Sequence, residues 1–181
     1  MSWAMPFPLR SSNPARSRAA RATSTALLAV LLACLGAGPA AAQTCEAPQT
    51  LRTSPQPSTT CGGDLSITSV CNGEIAIYGP VGVWQLRVGA GATAVLELLT
   101  TDPVFSPVGY LVAASGSCGE GGCHGHVDPL TPLDLSVVPP GHYHLIVAAS
   151  EWDAPGACGT YGLALSGELG DFDLVFADGF D

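Results

Sequence analysis

The chain has 181 residues, 47% apolar and only 12% charged, which excludes a disordered polar tail and fits one domain with a modest core. Six basic residues, all arginine, face 15 acids; four of the arginines fall in the first 21 residues, and every acid lies at or beyond Glu46. Beyond residue 42, Arg52 and Arg87 therefore stand against all fifteen carboxylates, a formal charge of −13 that makes nucleic acid and anionic membranes poor partners.

Residues 1–42 read as an export signal. A basic start leads into the apolar run 26–35, which Gly36 and Pro39 break before the small residues Ala40, Ala41 and Ala42. The run is half the length a bilayer crossing needs, about 20 residues. Cleavage before Gln43 is expected. The competing reading is a lipoprotein signal in which Cys34 becomes the lipidated first residue, giving a surface-retained structural protein. Cleavage before Gln43 removes Cys34 and leaves six cysteines: Cys45, Cys61, Cys71, Cys118, Cys123 and Cys158. In an oxidising compartment they predict three disulfides, with connectivity left open by sequence. Cys118 and Cys123 enclose only four residues, so a local bridge between them is the first expectation. The rival is a zinc site built from Cys118, Cys123, His124 and His126.

Residues 43–64 are rich in proline, serine and threonine and predict an irregular lead-in. The domain proper is expected over 65–169, beginning with a hairpin: strands at 65–71 and 74–78 around Asn72-Gly73, a dipeptide suited to a type I′ turn. In 82–88, Val83, Gln85 and Arg87 alternate with Trp84, Leu86 and Val88, the period of a half-buried strand. Gly89-Ala90-Gly91 turns the chain into a strand at 93–100. Its likeness to a dinucleotide fingerprint fails because no helix follows to hold a pyrophosphate. Further strands are expected at 108–114, 133–138, 142–149, 161–166 and 172–176. The whole predicts an all-β chain, a β-sandwich or jelly-roll-like domain of about eight or nine short strands, stapled by disulfides.

The segments GVWQLRVGAGATAVLELL, SGSCGEGGC, PPGHYHLIVAAS and GACGTYGLALSG resemble the bacterial pre-peptidase C-terminal (PPC) domain. The motif positions are Trp84, the 89–91 turn, Cys118, Gly141 with Tyr143, and Gly159 with Tyr161 and Leu163, all within 82–168. The resemblance implies a compact sandwich that accompanies exported enzymes as a non-catalytic accessory or binding module, some relatives taking calcium or extracellular polymers. Two departures are Ala148 and Ala149, where the family often has an aspartate, and the lack of a peptidase domain in 181 residues. Residues 170–181 alternate acids with large apolar side chains and resemble short terminal segments of some exported Gram-negative proteins. A retention tag and an edge strand covering the sandwich with Phe172, Leu174 and Phe176 are equally consistent with that alternation.

Candidate chemistry is sparse. His142 and His144 lie two apart on an expected strand and so share a face; with His124 and His126 they offer imidazoles to a transition metal, and with it a metal-dependent enzyme. The bland alternative is that these histidines supply the strand's solvent face. Asp102, Glu120, Asp128, Glu151 and Asp153 are loop carboxylates suited to calcium, though without an EF-hand spacing. Trp152, flanked by two acids between the last two core strands, is a contact residue for a sugar or partner if exposed, and a cap on the core if folded down. No nucleophile elbow, zinc-protease helix motif or phosphate loop is present. The expected function is a secreted, monomeric binding module for an extracellular polymer or an exported protein, without transmembrane helix or catalytic residues.

Overall fold

The computed structural model describes residues 44–52, 55–100 and 102–171. The expected export signal with Cys34, and the terminal segment from Phe172 onward, lie outside the described residues. Eleven strands form among the described residues: β1 Gln49–Thr50, β2 Gln56–Thr59, β3 Ser69–Val70, β4 Ile75–Ala76, β5 Gly82–Val88, β6 Val95–Thr100, β7 Pro107–Ala113, β8 Cys123–Val127, β9 Leu133–Asp134, β10 Gly141–Ala149 and β11 Thr160–Ser166. They make a five-stranded sheet in the order β1-β5-β10-β7-β8, a four-stranded sheet in the order β2-β11-β6-β9, and the separate β3–β4 hairpin. The all-β expectation holds, and no helix among the described residues is long and apolar enough to cross a membrane.

The main core fills the space between the two larger sheets. Trp84, Leu86, Leu111, Leu145 and Val147 meet Leu96, Leu98, Tyr161, Leu163 and Leu165 there. Trp84 is 1% exposed, and its indole N–H donates to the Tyr161 hydroxyl at 2.9 Å. Ser58 hydrogen-bonds the same hydroxyl, so three elements share one satisfied buried polar group. Burial raises the Tyr161 pKa, and the hydrogen bonds to Ser58 and Trp84 offset part of that rise. Full burial of a side chain this large contributes on the order of 2–3 kcal/mol.

A second cluster lies on the other face of the five-stranded sheet. Val83, Val112, Ile146 and Ala148 point away from the main core and are covered by Ile67, Val70, Ile77 and Val81 from the segment carrying the β3–β4 hairpin. The centre of the five-stranded sheet is thus buried on both faces. That explains why β10 alternates over its first half but runs Leu145, Ile146, Val147, Ala148 without an exposed position. The expected solvent face of this strand is confined to its beginning, where His142 is exposed and His144 is half-buried.

Several expectations are corrected. The stretch read as an irregular lead-in supplies β1, parallel to β5, and β2, antiparallel to β11, so it contributes to both large sheets. Their polar residues carry no apolar alternation because these are edge strands held by backbone pairing. Residues 133–138 give only the two-residue β9, followed by a short 3-10 turn at Leu135–Val137 whose first residue is capped by Asp134 accepting from the Ser136 N–H at 2.8 Å. β8 forms in a stretch for which the sequence predicts no strand. The hairpin turn is centred one residue early: Cys71 and Asn72 hold φ of 59° and 57°, and the Gly73 N–H donates to Val70 O at 3.2 Å. Positive φ at both central positions is what a type I′ turn requires, and Gly73 continues it at 83°.

The local Cys118–Cys123 bridge does not form. The pairs are Cys45–Cys118, Cys61–Cys158 and Cys71–Cys123, closing 73, 97 and 52 residues. Cys123 lies opposite Val112, on the face covered by the hairpin, and so reaches Cys71 in the hairpin turn. Cys118 packs against the same cluster and reaches Cys45. Cys61 and Cys158 instead join the ends of β2 and β11, beside a reciprocal bond pair in which Thr60 N–H donates to Gly159 O at 3.0 Å and Gly159 N–H donates to Thr60 Oγ1 at 3.1 Å. Gly159 is required there, since a Cβ would stand 2.4 Å from the Phe105 ring.

Candidate functional site

The proposed zinc tetrad is excluded by the same pairing, because both of its cysteines are spent on distant partners. The two His-x-His pairs are also kept apart: His124 and His126 belong to β8, His142 and His144 to β10, and β7 runs between them. A bulge opposite Leu111 and Val112 leaves His124 as the extra residue of β8. Its ring meets Tyr143 edge-on at 5.1 Å between centroids. Desolvation holds His144 below the usual histidine range, so it favours the neutral ring. Among the described residues no three His, Cys, Asp or Glu side chains are grouped to hold a metal.

The loop candidates fare differently. A groove of about 1030 Å³ is lined by residues of the segment from Glu74 through β4 to Tyr78, the β6–β7 loop and start of β7, the β8–β9 turn and the β10–β11 loop. Asp102, Asp128, Glu151, Asp153 and Trp152, named separately from the sequence, all line it. Glu120 does not; it accepts a hydrogen bond from the Ser117 hydroxyl in the Cys118 loop. Trp152 is 86% exposed, which settles its position against the core-capping alternative. Sequence reasoning missed two further members, Tyr78 at 70% and Leu130 at 92% exposure. A lone apolar residue in a turn carries no sequence signal that distinguishes a groove from ordinary surface.

The groove's loops are tied down by the acids themselves. Asp102 Oδ1 accepts from the Val104 N–H at 3.1 Å, and Thr100 Oγ1 donates across the same turn to Phe105 O at 3.1 Å. Asp128 Oδ1 accepts from the N–H groups of Leu130 and Thr131 at 2.8 and 2.9 Å, which fixes the turn that raises Leu130. Asp153 Oδ2 accepts from Ser106 N–H at 3.1 Å and Ser150 N–H at 3.2 Å, joining the Trp152 loop to the start of β7. The Gly156 N–H donates to Tyr78 O at 2.7 Å and brings the Tyr78 segment against the same loop. Inside the groove, burial and then the nearby Glu151 charge push the Tyr110 hydroxyl above its ordinary value, so it stays protonated. The arrangement is a pre-shaped surface with aromatic and aliphatic side chains exposed around buried Phe105 and Pro107.

No protein-family model matches the chain, and no curated protein matches it. Among solved structures it is similar to the crystal structure of Aeromonas hydrophila PliG, a periplasmic lysozyme inhibitor of g-type lysozyme, at 12% sequence identity and a TM-score of 0.48. The match covers 71% of this chain and 100% of that one.

Proposed function

We propose that this chain is an exported, non-catalytic binding module of PPC type that takes an extracellular polymer or an exported protein in the groove around Trp152. The observation that carries this reading is the convergence of Tyr78, Leu130 and Trp152, three highly exposed large apolar side chains, on one groove from three separate loops. Each is left in water at a cost of about 1.5–3 kcal/mol relative to burial, which a partner recovers. Their loops are already hydrogen-bonded, so little ordering entropy is lost on contact. Three disulfides support residence in an oxidising compartment. The PPC reading is supported by the meeting of Trp84, Tyr143, Tyr161 and Leu163, four of its motif positions, in one core.

Tryptophan fluorescence tests the reading directly, because beyond residue 42 the only tryptophans are buried Trp84 and exposed Trp152. A panel of soluble polysaccharides and purified exported hydrolases is titrated against the oxidised protein. A true partner shifts the Trp152 emission to the blue, protects it from acrylamide, and binds the W152A variant about tenfold or more weakly. If every partner found leaves Trp152 as quenchable as before and binds W152A unchanged, the groove is not the contact surface.

A further inference from the structure

The groove's charge narrows the partner. Glu74, Asp102, Asp128, Glu151 and Asp153 all line it, and no arginine or histidine does. Arg52 sits instead in a separate depression with Glu168 and Asp171, and Arg87 lies on β5 opposite His142. Among the described residues, the carboxylates of Glu74 and Glu151 make no hydrogen bond or ion pair, and Asp102 and Asp128 each use one oxygen on a backbone turn. These like charges repel one another, and covering them with a neutral surface removes their water without supplying a counter-charge. A cation beside exposed Trp152 and Tyr78 satisfies both halves of the surface at once, through carboxylate pairing and stacking on the ring faces.

Resting on the binding-module reading, we infer that the occupant is a cationic polypeptide segment of an exported protein, in which lysine or arginine side chains alternate with apolar ones. A free metal ion does not meet the apolar half of the surface, and the acids are not grouped to coordinate one. At about 1030 Å³ the groove also sits at the upper limit of small-molecule pockets and suits an extended segment.

The test uses the full exported chain with its disulfides intact and a fluorescein-labelled hexapeptide, Lys-Phe-Arg-Leu-Lys-Phe, beside a glutamate-for-cation counterpart and a neutral chito-oligosaccharide. The variants are W152A, E74Q/E151Q, and the control pair E97Q/E168Q, which removes the same two charges away from the groove. The turn-capping aspartates are left untouched. The basic peptide binds, binding weakens as salt rises from about 50 to 300 mM, and W152A and E74Q/E151Q each weaken it about tenfold while E97Q/E168Q changes it less than about twofold. Equal weakening by the two double variants would overturn the inference in favour of the field of the whole −13 body. Preference for the oligosaccharide, lost in W152A, overturns the cationic occupant and leaves the binding groove standing. Peptide binding indifferent to both W152A and E74Q/E151Q overturns the groove as well.

Discussion

The five-stranded sheet is covered on both faces, but by different means. On one face twenty buried residues, including Trp84, Tyr161 and ten leucines, interlock the five-stranded sheet with the four-stranded one. On the other, nine smaller residues, mostly valine and isoleucine, lie under a two-strand hairpin whose pairing covers only Ser69, Val70, Ile75 and Ala76. A hairpin of that size is not stable alone. Cys71–Cys123 ties the hairpin turn to β8, Cys45–Cys118 borders the same cluster, and Asp64 adds a polar clasp by accepting from the N–H groups of Cys45 at 3.1 Å and Ser66 at 2.7 Å. Where apolar area is scarce, covalent and polar ties take over.

That contrast is broken most sharply from the inside. Trp84→Ala empties a site in the larger core and takes the indole donor from the Tyr161 hydroxyl, leaving its hydrogen bond with Ser58; it lowers stability by about 3–5 kcal/mol in a single denaturant transition. The double variant C71S/C123S is next. The loss reaches about 4 kcal/mol on the loop-entropy account for a bridge closing 52 residues, but its signature is local. Hydrogen exchange at Val70 and Ile77 accelerates by orders of magnitude more than at Leu145 or Leu163. Uniform acceleration across both clusters would show that the two faces are one cooperative unit.

The polar clasp gives a smaller, pH-dependent effect. Burial alone would raise the Asp64 pKa, yet the hydrogen bonds from Ser66 and Cys45 prevail and hold it below 3.8. A carboxyl lowered in the folded state stabilises above its unfolded value and loses that contribution as pH falls through the folded one. Stability therefore declines below about pH 4, and D64N flattens that decline while costing no more than about 1 kcal/mol at neutral pH, read from urea midpoints. Smallest of all is W152A, which alters stability by less than about 0.5 kcal/mol because its side chain supports neither cluster.

Legibility in the sequence follows the same division. β5, β6, β7, β10 and β11 were readable because burial against a large core imposes alternation or a continuous apolar run. β1 and β2 were hidden by their polar, proline-bearing sequences, since an edge strand needs backbone groups more than side chains. β8 was masked by its two histidines, a glycine and a bulge. The second face of β10 was misjudged because Ile146 and Ala148 are explained only by a layer that folds back from 65–83. Disulfide partners depend on that same fold-back, so spacing pointed to the wrong neighbour for Cys118. Trp152 and four acids of the groove were visible one at a time, whereas their convergence is a product of loop placement around the sandwich.

The cysteine connectivity carries one more consequence. In chain order the six thiols pair first with fourth, second with sixth and third with fifth, so no correct link joins two consecutive cysteines. A chain delivered from its amino end presents Cys45, Cys61 and Cys71 together before any rightful mate exists, and Cys61 waits through 97 residues for Cys158. Oxidation that outruns delivery traps neighbours with one another, and only thiolate attack and exchange can release them. Oxidative refolding of the reduced chain is therefore expected to give more native protein with a thiol-shuffling catalyst than with oxidant alone.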